Sequence, residues 1–260
     1  MDEESSPNLL APERRDALMV ILRTEGRIDV AQAAKRLGTS NETIRKDLIA
    51  LADQDLLRRV HGGALPAHSV VFEERVEKRT QHLDEKLRIA LEAVTEIPAR
   101  GAIFIDSGST TSVFADMIPN NPGLTVFTNS IPVVQALFQK PRVPCFMTGG
   151  RVRDLSQSTV GKWALEAMGE IRVDVAFVGT NAVSFTRGLS APDADEAVIK
   201  GSMLEHAERS ILLADHSKFD QDSMFAYSSL DDVDLVITGE EVSADHRAQL
   251  AEQNVMVVYA

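Results

Sequence analysis

The sequence has one cysteine, no long apolar run and no closely spaced metal ligands. Because Cys145 stands alone, the chain cannot form an internal disulfide. No apolar stretch approaches the roughly 20 residues that span a bilayer, and the acidic start, Met1–Pro7, is unlike a secretory leader. The six histidines lack the spacing of zinc ligands. We therefore expect a cytoplasmic protein with no membrane contact, no metal site and no cofactor.

An excess of basic residues is also missing, since the formal net charge is −12. Residues 1–66 hold 10 Lys and Arg against 11 Asp and Glu, whereas the remaining residues hold 17 against 28. Affinity for DNA depends on cations that face phosphate locally, so this distribution does not exclude DNA binding by the first part. It predicts a modest non-specific affinity, strengthened when two or more DNA-binding heads act together.

The first 66 residues contain the start and stop signals of short helices. Asp29 is placed to cap a second helix, and Gly38 is placed to end it. Thr39 and Glu42 have the spacing of a capping box for a third helix. The apolar residues expected to face inward are Leu18, Ile21, Leu22, Val30, Ala33, Ala34, Leu37, Ile44, Leu48 and Leu51.

The third helix and the segment after it have the pattern of a DNA-reading unit. Two short helices joined by a tight turn, the second with polar N-terminal residues, are typical of helix-turn-helix proteins. A strand with two arginines then enters Gly62-Gly63, which predicts a hairpin wing beside the DNA backbone. The residues expected to contact DNA are Ser40, Asn41, Glu42, Thr43, Arg45, Lys46, Arg58, Arg59 and His61. The alternative is a small three-helix domain whose charges are only solvated, and Arg45 and Lys46 could both hold phosphate without reading a base.

Residues 13–66 resemble the winged helix-turn-helix of the DeoR family of bacterial regulators. The family signature is close to T-I-R-R-D-L followed by R-x-H-G-G-A, and this chain has Thr43-Ile-Arg-Lys-Asp-Leu48 and Arg59-Val-His-Gly-Gly-Ala64. Lys46 replaces the second arginine, which keeps the charge but loses the two-point geometry of a guanidinium. The resemblance implies a small DNA-binding domain over residues 12–66, after a polar tail over residues 1–11.

A charged segment then leads into a region of alternating strands and helices. Leu83, Leu87, Ala90, Leu91 and Val94 have helical spacing, which predicts a connector helix within residues 67–98 that also packs on the next domain; a charged surface helix is the alternative. Over residues 99–260 short apolar runs alternate with helical segments, so we expect an α/β domain with a mainly parallel sheet. The predicted strands are Ala102–Ile105, Leu124–Phe127, Val143–Met147, Val173–Val178, Ser210–Ala214, Asp234–Thr238 and Val255–Tyr259.

Polar loops follow several of the predicted strands. Asp106–Thr111 opens a helix after the first strand, Thr128–Ser130 follows the second and Gly149–Arg151 the third, and Lys218 follows another. Glycine lets the backbone approach a ligand, and a helix N-terminus presents free N–H groups to an anion. The loops match neither nucleotide-binding signature, G-x-x-x-x-G-K-[ST] or G-x-G-x-x-G. A single Ser/Thr run is more often a helix cap, but several such loops at neighbouring strand ends favour a site for a phosphorylated small molecule.

These loops extend the resemblance over nearly the whole chain. Asp106-Ser-Gly-Ser-Thr-Thr111, Thr128-Asn-Ser130, Gly149-Gly150 and Ala214-Asp-His-Ser-Lys-Phe219 resemble the sensor domain of DeoR-type regulators, which is Rossmann-like and similar to ribose-5-phosphate isomerase. The resemblance implies an effector that is a phosphorylated sugar or sugar alcohol. The residues it assigns to the effector are Asp106, Ser107, Gly108, Ser109, Thr110, Thr111, Thr128, Asn129, Gly149, Gly150, Asp195, Glu196, Lys200 and Lys218.

The same comparison argues against catalysis. The isomerases carry D-G-A-D-E where this chain has Gly179–Val183, and Ile199 stands where their proton-moving glutamate lies. The resemblance implies a sugar-phosphate-responsive regulator of carbohydrate genes, most simply a repressor, that binds operator double-stranded DNA. Paired half-sites imply a homo-oligomer. One alternative is a sugar-phosphate isomerase with an appended DNA-binding head, in which Asp195 or Glu196 serves as the base. A second is a constitutive DNA-binding protein whose second domain serves only to oligomerise.

Overall fold

The computed structural model describes residues 10–25, 27–54, 56–60, 62–66 and 81–260, which fall into two compact units, Met1–Val70 and Val71–Ala260. Most of the predicted polar tail and the first part of the predicted connector, residues 67–80, lie outside the described residues. Within the described ranges, the helices are all too short or too polar to cross a membrane.

The first unit is a small helical domain with a three-stranded sheet. Its elements are α1 (Ala11–Glu25), β1 (Ile28–Asp29), α2 (Val30–Arg36), α3 (Asn41–Ala52), β2 (Leu57–Val60) and β3 (Gly63–Pro66). The strand order is β1-β3-β2, and both pairings are antiparallel. Leu18, Ile28, Ile44 and Leu48 are buried together with other apolar residues of the three helices. The predicted winged helix-turn-helix architecture is confirmed.

The helix caps agree with the sequence prediction at α2 and differ by one residue at α3. Asp29 accepts a hydrogen bond from the backbone N–H of Gln32, and Gly38, with a φ of +62°, follows the last turn of α2. The prediction that Thr39 caps α3 is wrong. Its N–H bonds to the carbonyl of Ala34 and closes the preceding turn, whereas Ser40 is extended and its hydroxyl accepts from the N–H of Thr43.

A seven-stranded parallel sheet forms the centre of the second unit, in the order β15-β14-β12-β9-β4-β5-β6. All seven predicted strands are present, which confirms the predicted α/β fold. Their bounds are β4 (Gly101–Ile105), β5 (Leu124–Thr128), β6 (Cys145–Met147), β9 (Val173–Gly179), β12 (Ala207–Leu213), β14 (Leu235–Thr238) and β15 (Met256–Tyr259). The chain runs outward from β4 to β6 on one side and from β9 to β15 on the other.

Helices cover both faces of this sheet because alternate side chains of each strand point to opposite faces. On one face Ile103 and Phe177 pack with Ile89, Phe114 and residues of a third helix. On the other face, the neighbouring residues Phe104 and Ala176 pack with two further helices, and the last helix covers the β14 side. The helices are α4 (Leu83–Thr95), α5 (Ser109–Met117), α6 (Ile131–Leu137), α7 (Lys162–Gly169), α8 (Ala194–Glu205) and α9 (Ala244–Ala251).

The connector helix packs on the sheet, but not through the side predicted from its leucines. Leu83 and Leu91 are exposed, whereas Ile89, Ala90 and Ala93 are buried in the core. Glu85 and Lys86 are also buried on α4. Glu85 contacts His216, and Lys86 lies 3.8 Å from Asp215. These partners from the loop after β12 allow two charged residues on the inward face of α4.

Two small antiparallel sheets were not foreseen in the sequence. One is the hairpin of β7 (Arg151–Arg153) and β8 (Ser158–Val160). The other has the order β10-β11-β13 and consists of β10 (Ala182–Ser184), β11 (Gly188–Ala191) and β13 (Phe225–Ser228). These strands have three or four residues each, too few for a period-two pattern to be recognised.

Candidate functional site

The N-terminal half of α3 presents polar side chains to solvent. Asn41, Glu42, Arg45 and Lys46 are exposed, and Arg45 lies 3.6 Å from the Glu42 carboxylate in a surface ion pair. Ser40 and Thr43, which were predicted to contact DNA, stabilise the start of the helix. Their hydroxyls lie 2.8 Å apart, and Ser40 caps α3. The cations of α3 therefore lie on its solvent-exposed face, while the hydroxyls of Ser40 and Thr43 hold the start of the helix.

The aspartate of the third-helix motif has a structural role that the sequence did not reveal. Asp47 is 2% exposed, and its carboxylate accepts from Nε of Arg14 at 2.5 Å and from Nε of Arg15 at 3.1 Å. Both arginines belong to α1, so Asp47 joins α1 to α3. This contact orients the exposed face of α3 from within the domain.

The wing has the predicted hairpin, and its two glycines serve different purposes. Gly62 has a φ of +81°, a conformation that L side chains rarely adopt. A Cβ on Gly63 would overlap the carbonyl oxygen of Ile28, because β1 lies directly against β3 there. Arg59 on β2 is exposed, as a phosphate contact requires. Arg58 lies on the same strand, but its side chain, like the whole of His61, falls outside the described residues.

In the second unit, the loops after β4 and β9 leave the sheet at its topological switch point. β4 pairs with β9, and the chain turns in opposite directions after these two strands. Crevices at such points are the usual ligand sites of open α/β sheets. Asp106 directly follows β4, and its carboxylate accepts from the N–H of Gly179 at 3.1 Å. A buried carboxylate therefore lies at the switch point, which is the expected floor of a ligand crevice.

Lys200 of α8 completes this floor. Its buried ammonium contacts the carboxylate of Asp106 and donates to the carbonyl of Gly179 at 3.0 Å and that of Ser107 at 3.4 Å. Burial raises the pKa of Asp106, and the ammonium of Lys200 opposes that rise. The structure thus brings Lys200 to Asp106 and Ser107, which were predicted from a motif that begins 94 residues earlier in the sequence.

The start of α5 borders the same crevice. The first intrahelical bond runs from the N–H of Ser112 to the carbonyl of Gly108, so the N–H groups of Ser109, Thr110 and Thr111 precede the helical ladder. The hydroxyls of Thr111 and Ser112 donate back to the carbonyl of Gly108 at 3.2 and 2.6 Å. The backbone of this nine-residue helix therefore offers donors for an anion, and the hydroxyl of Thr111 is used inside the helix.

The loop after β5 holds a buried amide with one free oxygen. Asn129 is 1% exposed, and its Nδ2 donates to the carbonyl of Thr159 at 3.2 Å. Its Oδ1 has no hydrogen-bond partner among the described residues. Thr128 is buried as well and donates to the carbonyl of Ile105 at 2.6 Å, which joins β5 to β4. An unpaired buried acceptor costs free energy, so Asn129 has capacity for a ligand donor.

The two glycines after β6 differ in their surroundings. Gly149 has open space around the position of a Cβ. Gly150 has a φ of +126°, and a Cβ there would lie 2.7 Å from the carbonyl oxygen of Val160. Gly150 is thus needed for the close approach of β8, and the backbone at Gly149 is open.

The first turn of α8 is tied to the β7–β8 hairpin by ion pairs. Asp195 lies 2.9 Å from Arg151, and both side chains are exposed. Glu196 is buried and lies 3.5 Å from Arg153, which also pairs with Asp193 at 3.3 Å. Arg153 is not among the residues that the resemblance assigns to the effector; the sequence offers it, with Arg151 and Trp163, only as a residue that either shapes the choice of effector or lies on the surface.

Lys218 lies in a short 3-10 helix, His216–Lys218, after β12. Burial raises the pKa of Asp215, but Lys218, Ser217 and Lys86 outweigh this, so that pKa lies below its usual range. Another residue missed from sequence is Tyr227, whose hydroxyl lies 3.3 Å from the carbonyl of Gly179. Tyr227 reaches the crevice from β13, a strand that the sequence did not predict.

Known proteins match both parts of the chain. The DeoR-like helix-turn-helix domain matches residues 14–70, and the DeoR C terminal sensor domain matches residues 81–240. The chain belongs to the DeoR family. This DeoR-family chain is 35% identical over 251 residues to the HTH-type transcriptional regulator GlpR of Haloferax volcanii, covering 96% of this chain and 98% of that protein. It is 30% identical over 246 residues to the glycerol-3-phosphate regulon repressor of Escherichia coli strain K12, covering 92% of this chain and 97% of that one.

These matches identify a DNA-binding transcriptional regulator rather than an enzyme, as the sequence predicted. Among solved structures, ribose 5-phosphate isomerase A of Methanocaldococcus jannaschii aligns with a TM-score of 0.40 and 20% identity, over 54% of this chain and 55% of that chain. The catalytic alternative has no support among the named relatives of this DeoR-family regulator.

Proposed function

We propose that this DeoR-family regulator represses genes for carbohydrate uptake or catabolism, and that a phosphorylated sugar or sugar alcohol modulates its operator binding. The effector binds at the carboxyl edge of the sensor sheet. The observation that carries the proposal is the grouping of polar groups at the switch point, where the start of α5, the buried Lys200 and the free Oδ1 of Asn129 lie at the ends of adjacent strands. The name of one relative, a glycerol-3-phosphate regulon repressor, supports the phosphate.

The phosphate binds at the start of α5. The N–H groups of Ser109, Thr110 and Thr111 point away from the helix, and the helix dipole favours an anion there. Ser107 and Gly108 complete the turn, and Lys218 supplies a cation from the β12 loop. Lys200 already neutralises Asp106, so the carboxylate does not repel the phosphate.

The hydroxyl groups of the effector bind on the β5 and β6 side. The free Oδ1 of Asn129 accepts one hydroxyl, and the open backbone at Gly149 accommodates the carbon chain. Thr128 and Gly150 hold these loops in place, and Asp195 and Glu196 approach from α8. A ligand with several hydroxyls satisfies groups that an apolar ligand would leave unpaired.

Operator binding uses α3 in the major groove and the β2–β3 wing on the backbone, with exposed cations Arg45, Lys46 and Arg59 on phosphate. Arg58 and His61 belong to the same wing. The regulator acts as a homo-oligomer, because half-sites spaced by a helical turn need at least two heads. The effector weakens operator binding by linkage, with a coupling of about 1–3 kcal/mol.

The test is thermal unfolding of the full chain with triose, pentose and hexose phosphates, glycerol 3-phosphate, and the unphosphorylated forms of each. A binding phosphate at about 100 times its Kd adds roughly 2.7 kcal/mol to the stability, and the matching free sugar adds nothing. Asn129→Leu should abolish the shift, and Ser112→Ala, whose hydroxyl bonds inside α5, should retain it. If none of the phosphates raises Tm, the effector proposal is wrong, while operator binding remains to be judged by its own assay.

A further inference from the structure

A cluster of potential metal ligands lies where α4 begins. One nitrogen of His82, one of His216 and one carboxylate oxygen of Glu85 all lie within 4.8 Å of one another. Glu85 and His216 are 131 residues apart in sequence, so their spacing cannot reveal the cluster. Two imidazoles and a carboxylate are a frequent ligand set of zinc in proteins.

His216 is held beside Glu85 by two contacts. The backbone N–H of His216 donates to Glu85 Oε1 at 2.7 Å, and Nδ1 of the ring lies 2.7 Å from Oε2. Nδ1 and Oε2 therefore face one another, and an ion can bind both atoms when Nδ1 presents its lone pair in place of a proton.

His82 is the exposed member of the cluster. It precedes α4 with a φ of +54°, in the left-handed region, and makes no capping bond with its side chain. Its ring meets that of His216 edge-on, with 4.6 Å between the ring centroids. The ring of His82 is therefore not engaged in capping the helix and lies beside the other two ligand candidates.

The charges around the cluster permit a cation. Lys86 is the neighbouring ammonium, and it lies 3.8 Å from the carboxylate of Asp215, which offsets its charge. Glu85 is 3% exposed, so its negative charge acts in a weakly solvated place. A Cβ on Gly239 would overlap Glu85, so the backbone after β14 lies directly against this side chain and limits its movement.

We propose that His82, Glu85 and His216 bind a divalent transition-metal ion, with Zn²⁺ as the fitting ion. Zn–N distances of about 2.0–2.1 Å require the ligand atoms to approach closer than they stand, which rotation of the exposed His82 ring provides. Water completes the coordination. The ion joins the first residue before α4, where the connector enters the sensor domain, to the loop after β12. This departs from the expectation of no metal site, which rested on sequence spacing alone.

The test uses the full chain without an affinity tag, stripped of metal with a chelator. Isothermal titration with Zn²⁺ and with Mg²⁺ measures stoichiometry and Kd, and Co²⁺ substitution gives visible absorption bands that report nitrogen and oxygen coordination. The variants are His82→Ala, which changes an exposed ring, and His216→Gln, which keeps the backbone bond to Glu85. His206→Gln is the control, since His206 bonds within α8 to Ser202.

The expected result is one Zn²⁺ per chain, no binding of Mg²⁺, and a loss of affinity of about 10- to 100-fold in His82→Ala and His216→Gln. The control should bind as the unchanged chain does. Absence of stoichiometric Zn²⁺ binding would overturn the proposal, as would binding that survives both cluster variants. In either of those cases Glu85 and His216 are hydrogen-bonded partners only. The assay contains neither DNA nor sugar phosphate, so its outcome is independent of the proposed effector.

Discussion

The ammonium of Lys200 on α8 meets the carboxylate of Asp106 at the end of β4, and both side chains are buried. This ion pair lies at the switch point of the sheet. It connects the end of the central strand β4 to α8, and the two residues are 94 positions apart in the chain. Buried pairs of this kind contribute little when intact, yet removal of one partner is costly.

Lys200→Met should therefore destabilise the sensor domain by about 3–5 kcal/mol, because the carboxylate of Asp106 is left buried without its cation. Urea unfolding followed by circular dichroism measures this change. The double variant Asp106→Asn with Lys200→Met should recover much of the loss. Equal stability of the single and double variants would mean that the two side chains do not interact.

Arg59→Ala should weaken binding to all DNA sequences and reduce the slope of log K against log salt by about one unit, since one phosphate contact is lost. Fluorescence anisotropy at several salt concentrations gives the slope. Lys162→Ala is the matched control, because it removes an exposed cation from α7 of the sensor domain. An unchanged slope in Arg59→Ala would show that the side chain of Arg59 does not contact a DNA phosphate.

The two wing glycines should respond differently to alanine. Gly62→Ala places a side chain at a φ of +81° and should cost roughly 1–2 kcal/mol. Gly63→Ala places a Cβ on the carbonyl of Ile28, so β1 and β3 must separate and operator binding should fall further. Hydrogen exchange of the β1–β3 amides, together with anisotropy, distinguishes the two. Similar losses in both variants would contradict the close approach at Gly63.

Asp215 should make the stability of the sensor domain depend on pH. Its folded pKa lies below the usual aspartate value of about 3.9 because Lys218, Ser217 and Lys86 outweigh burial. The carboxylate therefore contributes stability that is fully present above the unfolded pKa and is lost as pH falls through the folded pKa. Asp215→Asn should be less stable than the unchanged chain at pH 7, with the difference shrinking below about pH 4. The free energy of unfolding of both proteins, measured at several pH values over this range, tests the prediction. A difference between the two proteins that does not change with pH would contradict the lowered pKa of Asp215.

Local signals were enough to predict the elements of both domains. The Asp29 cap, the glycine after α2 and the seven apolar runs each depend on neighbours in sequence, and each is present in the structure. The predicted position of the α3 cap was wrong by one residue, because threonine and serine are both good caps. The choice of Ser40 follows from the preceding turn, in which the N–H of Thr39 donates to the carbonyl of Ala34. The short strands β7, β8, β10, β11 and β13 have too few residues for a periodic pattern.

The site was predicted in its parts but not in its connections. Asp106 and Lys200 were both assigned to the effector, yet only the pairing of β4 with β9 brings them into contact. Asp47 belongs to the motif that identified the head, but its bonds to Arg14 and Arg15 depend on the packing of α1. The cluster of Glu85 and His216 was invisible for the same reason.

The sequence by itself determined the order of elements, the polar face of α3 and the loops that follow the strands, because helix caps, glycine turns and apolar periods act over a few residues. The tertiary structure alone decided which buried charges are paired, which glycines lie so close to a neighbouring backbone that a Cβ would not fit, and which histidine rings are in contact. Those relationships join residues far apart in the chain, and they exist only once the sheet has aligned its strands.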